Sequence, residues 1–457
     1  MNSLITQSAD AFRIIRLLVV LMLVIGSGEI FAQDSTSRPD ERLTLDQAIT
    51  LALHDNRGIK IARLAVEKSD DQVSAAKTFR LPSLHAYSLF SGNLATNELR
   101  IPNLTNTLYP GFGPFFSLNA ERKPTALMGA SVIEPLSQQY RIGLQIKFER
   151  VSRDLAQAKL RQEQNETIDK VKKAYYAVLQ TQSGLTSVQE ALKSYRELDK
   201  ITGDYVVQQV ALKADQLTVQ TRLARVQYEE LELTSKLATQ KEQLNSLLGR
   251  EVGASFEVVG TPDFVSFETD LREARRTALE KRPELQQARL LVQEATLDRR
   301  IKKSQYIPDV SAGFTYLTAR NFGDAIPKNF ANVGVAVTWE VFDWGRKKNE
   351  LAAKDKAIEQ ANAGLKETED QILIDVGDKL RKLQLAGQAL RVARLSEDSA
   401  KENLRVSTGR YKFQAVLLSD VLQSQASLAE ASHEYQQALL GFWTAKAEFE
   451  KALGEDK

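Results

Sequence analysis

Two aspartates recur at the same place in the two halves of this chain. Asp215 and Asp420 stand at an offset of 205 residues, each just after a turn, near Gly203 and Gly409. A carboxylate in that setting caps or solvates the helix that returns from the turn. No catalytic constellation is grouped with them. His54, His85 and His433 lie far apart with no matched carboxylate, so an imidazole metal cluster is not expected. Cysteine is absent, which excludes disulfides, thiol catalysis, a thiolate metal site and lipidation of an N-terminal cysteine. Gly111-Phe112-Gly113-Pro114 lacks the strand and helix context of a phosphate-binding loop. No enzyme activity, metal or cofactor is expected.

The elements that place these aspartates are long helices. No proline occurs in 136–261 or 328–457, and proline breaks helix interiors, so two very long helical regions are permitted. Residues 142–201 as one helix would reach roughly 90 Å at about 1.5 Å per residue. From Leu223 the heptad positions read Leu223, Val226, Glu230, Leu233, Leu237, Gln240, Leu244 and Leu247, a coiled-coil seam with charges outside it. Lys plus Arg (61) nearly cancels Asp plus Glu (59), which argues against a nucleic-acid partner. At the N-terminus Arg13 and Arg16 precede the apolar run Leu17 to Ile25, then Gly26-Ser27-Gly28 and Ile30-Phe31-Ala32. That pattern predicts a signal peptide over 1–32, because a membrane-spanning helix needs about 20 apolar residues.

The chain is an internal duplication. Residues 45–84 realign without gaps on 271–310, where Ala48, Ala52, Leu53, Ala62, Arg63, Leu64, Val66 and Pro82 recur as Ala274, Ala278, Leu279, Ala288, Arg289, Leu290, Val292 and Pro308. That offset is 226 residues. Further on it is 205, as in Gly129/Gly334, Arg141/Arg346, Val171/Val376 and Gly249/Gly454. The first copy therefore carries 21 extra residues between 84 and 129, in a segment rich in Gly, Pro and Asn that is expected to be a loop.

Each copy supplies two expected strands, about 82–91 and 126–136 in the first and about 308–318 and 332–343 in the second. Val333, Val335, Val337, Trp339 and Val341 alternate with small or polar residues, so one face is apolar. Val335 and Val337 would face lipid, with Ala336 and Thr338 facing a lumen. About ten residues suits a tilted membrane strand. Four strands cannot close a barrel, and open edges are not tolerated in lipid. Several copies must contribute, and three give twelve strands, the first count with room for a pore. The stretch 333–351 is then the corner where a barrel strand becomes a tunnel helix.

These residues resemble the outer membrane efflux protein family, the TolC-like channels, over essentially the whole mature chain. Leu43 to Asn56, "LTLDQAITLALHDN", looks like the family's opening; the usual Asn-Pro continuation is Asn56-Arg57 here, while Arg282-Pro283-Glu284-Leu285 keeps the proline. Phe342, Asp343, Trp344, Gly345 and Arg346 are similar to the strand-to-helix corner, with Trp344 where a glycine is common. Pro135-Leu136-Ser137-Gln138 is a looser first-copy corner. Arg410-Tyr411 followed by Ser419-Asp420-Val421-Leu422 looks like the periplasmic tip.

The resemblance implies a mainly α fold with a membrane β-barrel portion: a homotrimer with a twelve-stranded β-barrel, an α-helical barrel through the periplasm and a small equatorial region. The repeats would be 33–250 and 270–457, joined by an equatorial linker at 251–269. It implies an outer-membrane exit duct of a tripartite efflux or type I secretion system, in contact with outer membrane lipid. Its partners would be a periplasmic adaptor (membrane fusion) protein and an inner-membrane pump. Asp215 and Asp420 match an aspartate of the family's periplasmic constriction, where six carboxylates in a trimer would attract cations. Thr218 and Gln423 stand where a second aspartate is frequent. Tyr205, Tyr411, Leu417, Leu418 and Ser419 are expected at the tip where an adaptor docks. The rival reading, a secreted coiled-coil scaffold or adhesin, accounts for the signal and heptads but not for the four strands or the corner.

Overall fold

The computed structural model describes residues 41–92, 94–95, 97–102, 115–120, 122–259, 270–321, 328–413 and 415–454. The expected signal peptide, the Gly111–Pro114 stretch and most of the linker at 251–269 lie outside the described residues. The chain divides into a small unit, 1–41 with 255–257, and a large one, 42–254 with 258–457. Of the small unit the described residues are Glu41 and 255–257, which are extended at Glu41, Phe256 and Glu257.

In chain order the elements are β1 (Glu41–Leu43), α1 (Leu45–Asp55), α2 (Arg57–Thr78), β2 (Ser83–Gly92), β3 (Asn97–Pro102), β4 (Phe115–Ala120), β5 (Pro124–Pro135), α3 (Gln139–Val207), α4 (Lys213–Leu248), β6 (Phe256–Val258), α5 (Leu271–Lys281), α6 (Pro283–Ser304), β7 (Asp309–Arg320), β8 (Asn329–Thr338), α7 (Arg346–Lys412) and α8 (Leu418–Leu453). Local chemistry sets the helix starts. The Thr44 hydroxyl accepts the Gln47 N–H (3.3 Å) while the Gln47 side chain accepts the Thr44 N–H (2.9 Å), a reciprocal cap on α1. Asn56 accepts from Gly58 and Ile59 at the head of α2, and its Nδ2 donates to the Leu247 carbonyl (2.7 Å). The second copy starts α6 differently. Pro283 occupies the first helical position, where its missing N–H costs nothing.

Helix α3 runs 69 residues, roughly 100 Å at about 1.5 Å per residue, and α7 runs 67. Along α4 the heptad positions from Leu223 to Leu247 are partly or wholly buried, while the residues between them up to Thr239 are exposed. Both return helices, α4 and α8, end on a left-handed glycine, Gly249 (φ 74°) and Gly454 (φ 75°). A Cβ on Gly249 would run into the Asp55 carbonyl oxygen, so steric room and φ both demand glycine.

Strands β2, β5, β7 and β8 form one antiparallel sheet in the order β2-β5-β7-β8. The register puts Leu84, Val132, Phe314 and Val333 in one row and His85, Ser131, Thr315 and Asn332 in the next, on the opposite face. The Tyr87 ring lies over Gly129, its partner across the strands, where a Cβ would clash with the ring.

Two differences from the sequence reading follow. The strand expected over 332–343 ends at Thr338, the partner of Asp309; the next residue of the facing strand is Pro308, which has no N–H to extend the ladder. The loop expected in the 21-residue excess contains a hairpin, β3–β4, paired from Asn97↔Ala120 to Pro102↔Phe115. Its period-two alternation (Leu99, Ile101, Phe116, Leu118) is short and set among Gly, Pro and Asn, which masked it.

Helices α3, α7 and α8 are joined by charge. Glu448 bonds Lys173 and Lys379, both at 2.8 Å, and Lys173 also reaches Asp169 (3.1 Å). Lys172 pairs with Glu450. Burial would raise the Glu448 carboxyl, but the two ammonium groups outweigh it and hold the pKa at about 2, against 4.5 ordinarily. A depressed carboxyl stabilises the fold above its unfolded value and loses that contribution as pH falls through the folded one. Glu448→Gln should lower the melting temperature by several degrees at pH 7. The deficit should shrink as pH drops from 4.5 to 2, followed by thermal circular dichroism; a deficit independent of pH would remove the ion pairs as its cause.

Candidate functional site at the helix turns and the strand-to-helix corner

The two turns that end α3 and α7 meet in one apolar cluster. Tyr195, Leu198, Val219, Tyr411 and Val421 are buried together, with Tyr205, Val416, Leu418 and Leu422 packed against them. The Tyr205 and Tyr411 rings lie 5.8 Å apart at 60°, and Lys412 bridges to Glu197 on α3 (2.7 Å). Burial pushes the Tyr411 phenol above its ordinary value. Asp215 and Asp420 thus come to the same end of the bundle. Each sits at the third position of its helix: Asp215 Oδ2 accepts the Leu212 N–H (3.0 Å) and Asp420 Oδ2 accepts the Leu417 N–H (3.1 Å). Both carboxylates therefore satisfy a backbone donor that a helix start leaves orphaned.

The residues expected to dock a partner divide. Tyr411 is buried and Leu418 packs in the cluster, so both hold the turns together, and Tyr205 is half-buried. Leu417 (70% exposed) and Ser419 are open to solvent. The sequence reading missed the first-copy surface: Val207, Val210 and Leu212 (71% exposed), with Phe413 beside the second turn. The offset of 205 residues makes Leu212 the counterpart of Leu417, the signal that could have found it.

The corner after β8 is built by Asp343. Its Oδ1 accepts the Gly345 N–H (3.1 Å) and its Oδ2 the Lys347 N–H (2.9 Å), which caps α7. To reach this geometry two successive residues turn left-handed, Trp344 (φ 58°) and Gly345 (φ 86°). Arg346 then pairs with Glu340 (2.6 Å) and Glu350 (3.3 Å). Phe342 stacks edge-on against Trp344, with centroids 4.9 Å apart. The first-copy corner is stapled instead to its neighbour: Ser137 Oγ donates to the Pro308 carbonyl and accepts the Val310 N–H, both at 2.7 Å. That is why its sequence looks looser, since its partners lie just before β7 and on it, and not within the turn.

The outer membrane efflux protein model matches residues 48–250 and 274–455. The chain belongs to that family. Solved structures share the fold: VceC of Vibrio cholerae (16% identity, covering 90% of this chain and 96% of that one, TM-score 0.71), the Campylobacter jejuni CmeC outer membrane channel (14%, 90% and 85%, 0.71) and CusC (15%, 94% and 99%, 0.74). None of the curated protein sequences matches the chain. Among the described residues no helix is long and apolar enough to cross a membrane, and no three or more His, Cys, Asp or Glu residues are grouped to hold a metal ion.

Removing a cap of this kind costs about 1 kcal/mol. Asp215→Ala and Asp420→Ala should therefore each speed hydrogen exchange at the turn amides several-fold, whereas the Asn variants, which keep an acceptor, should not. Equal exchange in the Ala and wild-type proteins would show that the caps carry no stability.

Proposed function

We propose that three copies of this chain form an outer-membrane exit duct. The observation that carries this reading is the sheet. Its two edge strands, β2 and β8, run antiparallel to each other in the order β2-β5-β7-β8, so β8 of one copy can continue the ladder onto β2 of the next. Three copies close twelve strands without an edge, as a bilayer requires. The row Leu84–Val132–Phe314–Val333, with Val335 and Val337, would face lipid. The row His85–Ser131–Thr315–Asn332 would face water in the lumen. The repeats, 33–250 and 270–457, then give each copy two barrel strands and two long tunnel helices per repeat, and 251–269 lies at the equator. A scaffold or adhesin has no use for a sheet that sets the apolar row Leu84–Val132–Phe314–Val333, with Val335 and Val337, on one face.

At the helix turns Asp215 and Asp420 line the periplasmic aperture, and the exposed Leu212, Leu417 and Ser419 receive a periplasmic adaptor that links the duct to an inner-membrane pump. Transport through the duct is passive, driven by that pump, and carries small molecules or polypeptide outward. The capping bonds leave each carboxylate one further oxygen to present to passing ions. Carboxylates grouped at an aperture favour cations.

Reconstituted into planar bilayers, the protein should conduct and prefer cations. Asp420→Asn should reduce that selectivity and weaken block by a trivalent cation, and adding Asp215→Asn should reduce both further. Absence of any conductance in an assembled, bilayer-inserted preparation would favour the scaffold reading, and wild-type selectivity in the double variant would move the gate elsewhere. Separately, a charge on the tip, Leu212→Glu with Leu417→Glu, should abolish export from cells while an assembled trimer persists in the outer membrane fraction. Export that survives both changes would place the docking surface away from the turns.

A further inference from the structure

Two guanidinium groups in the second repeat converge with no carboxylate bonded to either. Arg275 on α5 and Arg381 on α7 meet over Gly377: Arg381 Nη1 lies 3.3 Å, and Arg275 Nη2 3.6 Å, from the point that a Cβ at 377 would occupy. The two nitrogens are thus within about 7 Å of each other, where like charges repel. Neither arginine makes a hydrogen bond or ion pair among the described residues, and Arg275 Nε is buried without an acceptor. The acids on the same stretch of α7 are engaged elsewhere. Asp375 accepts from Arg282 and Asp378 from Lys382, each at 2.8 Å, and Arg381 reaches Asp378 only through its field.

The fold does not ask for this arrangement, and the duplication supplies the comparison. At the offsets of 226 and 205 residues the first repeat has Ile49, Lys172 and Tyr176 in place of Arg275, Gly377 and Arg381. There the lysine pairs with Glu450 and the tyrosine ring stacks on Trp443, so that junction is closed by partners within the chain. In the second repeat two cations are left facing each other, with a half-buried donor unsatisfied, which costs stability unless an acceptor enters from outside.

We propose that Arg275 and Arg381 bind one phosphate group over Gly377. Each guanidinium is a planar fork that matches two oxygens of an oxyanion, and a phosphate carries close to two negative charges at neutral pH, one for each arginine. Glycine at 377 leaves the room, since any larger residue would place a Cβ against both forks. The bound anion bridges the short helix α5 to the long helix α7. Gly377 lies roughly 45 Å along α7 from Arg346, at about 1.5 Å per residue, so under the duct reading a lipid headgroup does not reach it and the ligand is a soluble phosphate.

Inorganic phosphate titrated into the assembled full-length protein in detergent, at neutral pH and constant ionic strength, tests the site by calorimetry. Wild type should bind one phosphate per copy. Arg275→Gln and Arg381→Gln should each weaken binding about tenfold or more, and Gly377→Ala, which fills the hollow but keeps both charges, several-fold. Arg276→Gln, which removes an exposed charge at the next position of α5, should leave it unchanged. Equal weakening by Arg276→Gln, or none by the other three, would overturn the site. Glycerol phosphate run in parallel separates an ester from the free ion by which binds more tightly; rejection of both sinks the proposal, and acetate binding as tightly as phosphate would make the ligand a carboxylate and overturn it. Arg275→Lys with Arg381→Lys keeps the charges without the forks, and should fold and bind between wild type and the Gln variants. Melting adds a readout that a structural role would not move. Without phosphate Arg381→Gln relieves repulsion and should keep or raise the melting temperature, while it should abolish the rise of several degrees that phosphate gives the wild type. A melting temperature lowered equally with and without phosphate, or loss of the assembled oligomer, would make the pair a structural contact instead. None of these measurements needs a conducting pore, so their failure leaves the duct reading untouched.

Discussion

Backbone hydrogen bonding at the rim of the four-stranded sheet is the constraint on which the rest of the molecule hangs. Within one copy β5 and β7 are paired on both sides, but β2 and β8 are each paired on one side only. In water such edges are a liability, and in a bilayer each unpaired group costs several kcal/mol. The sheet order places the edges at opposite sides with opposed strand directions. The proposed ring closure therefore needs no change in the fold of a single copy. Length follows from the same constraint. The ladder stops at Asp309↔Thr338, where Pro308 can give no further bond, and the chain passes from β8 to the self-capped corner at Asp343 instead.

Below the sheet the two repeats solve one problem with different chemistry. Every helix start leaves orphan N–H groups, and each copy satisfies them with whatever residue its position holds. Asn56 caps α2 and ties it to Leu247, whereas Pro283 removes the need for one donor at the head of α6. Asp343 caps α7 from within its own turn, whereas Ser137 bonds back onto β7 at the equivalent place. Duplicated topology does not require duplicated bonds. It requires only that each orphaned group finds a partner.

The same requirement explains the turns. Asp215 and Asp420 are helix caps in the folded chain, which is enough to account for their recurrence at matching places. The cap engages one carboxylate oxygen, Oδ2, in each residue, so the capping role and the proposed aperture role are compatible. Tyr411 shows the opposite division, because its ring is consumed by the cluster that binds the two turns together.

The sequence by itself determined whatever local periodicity and the offsets between the copies can encode. The proline-free stretches and the heptad from Leu223 marked helices that the structure shows as α3 and α4, and the seam positions are the ones α4 turns inward. Matching offsets marked Asp215 with Asp420 and Gly249 with Gly454, because a repeated turn needs the same residue types at the same bond-forming positions. What the tertiary structure alone decided was which of those residues remain available. Tyr411 and Leu417 are both apolar-surfaced and close in sequence. Yet one is buried by residues of α3 and α4, far away along the chain, and the other is open, a difference of long-range packing that no local pattern carries. The left-handed backbone under Trp344 is not carried by the residue itself, because φ at that position is imposed by the Asp343 cap on α7; the one sequence signal was that the family commonly has a glycine there.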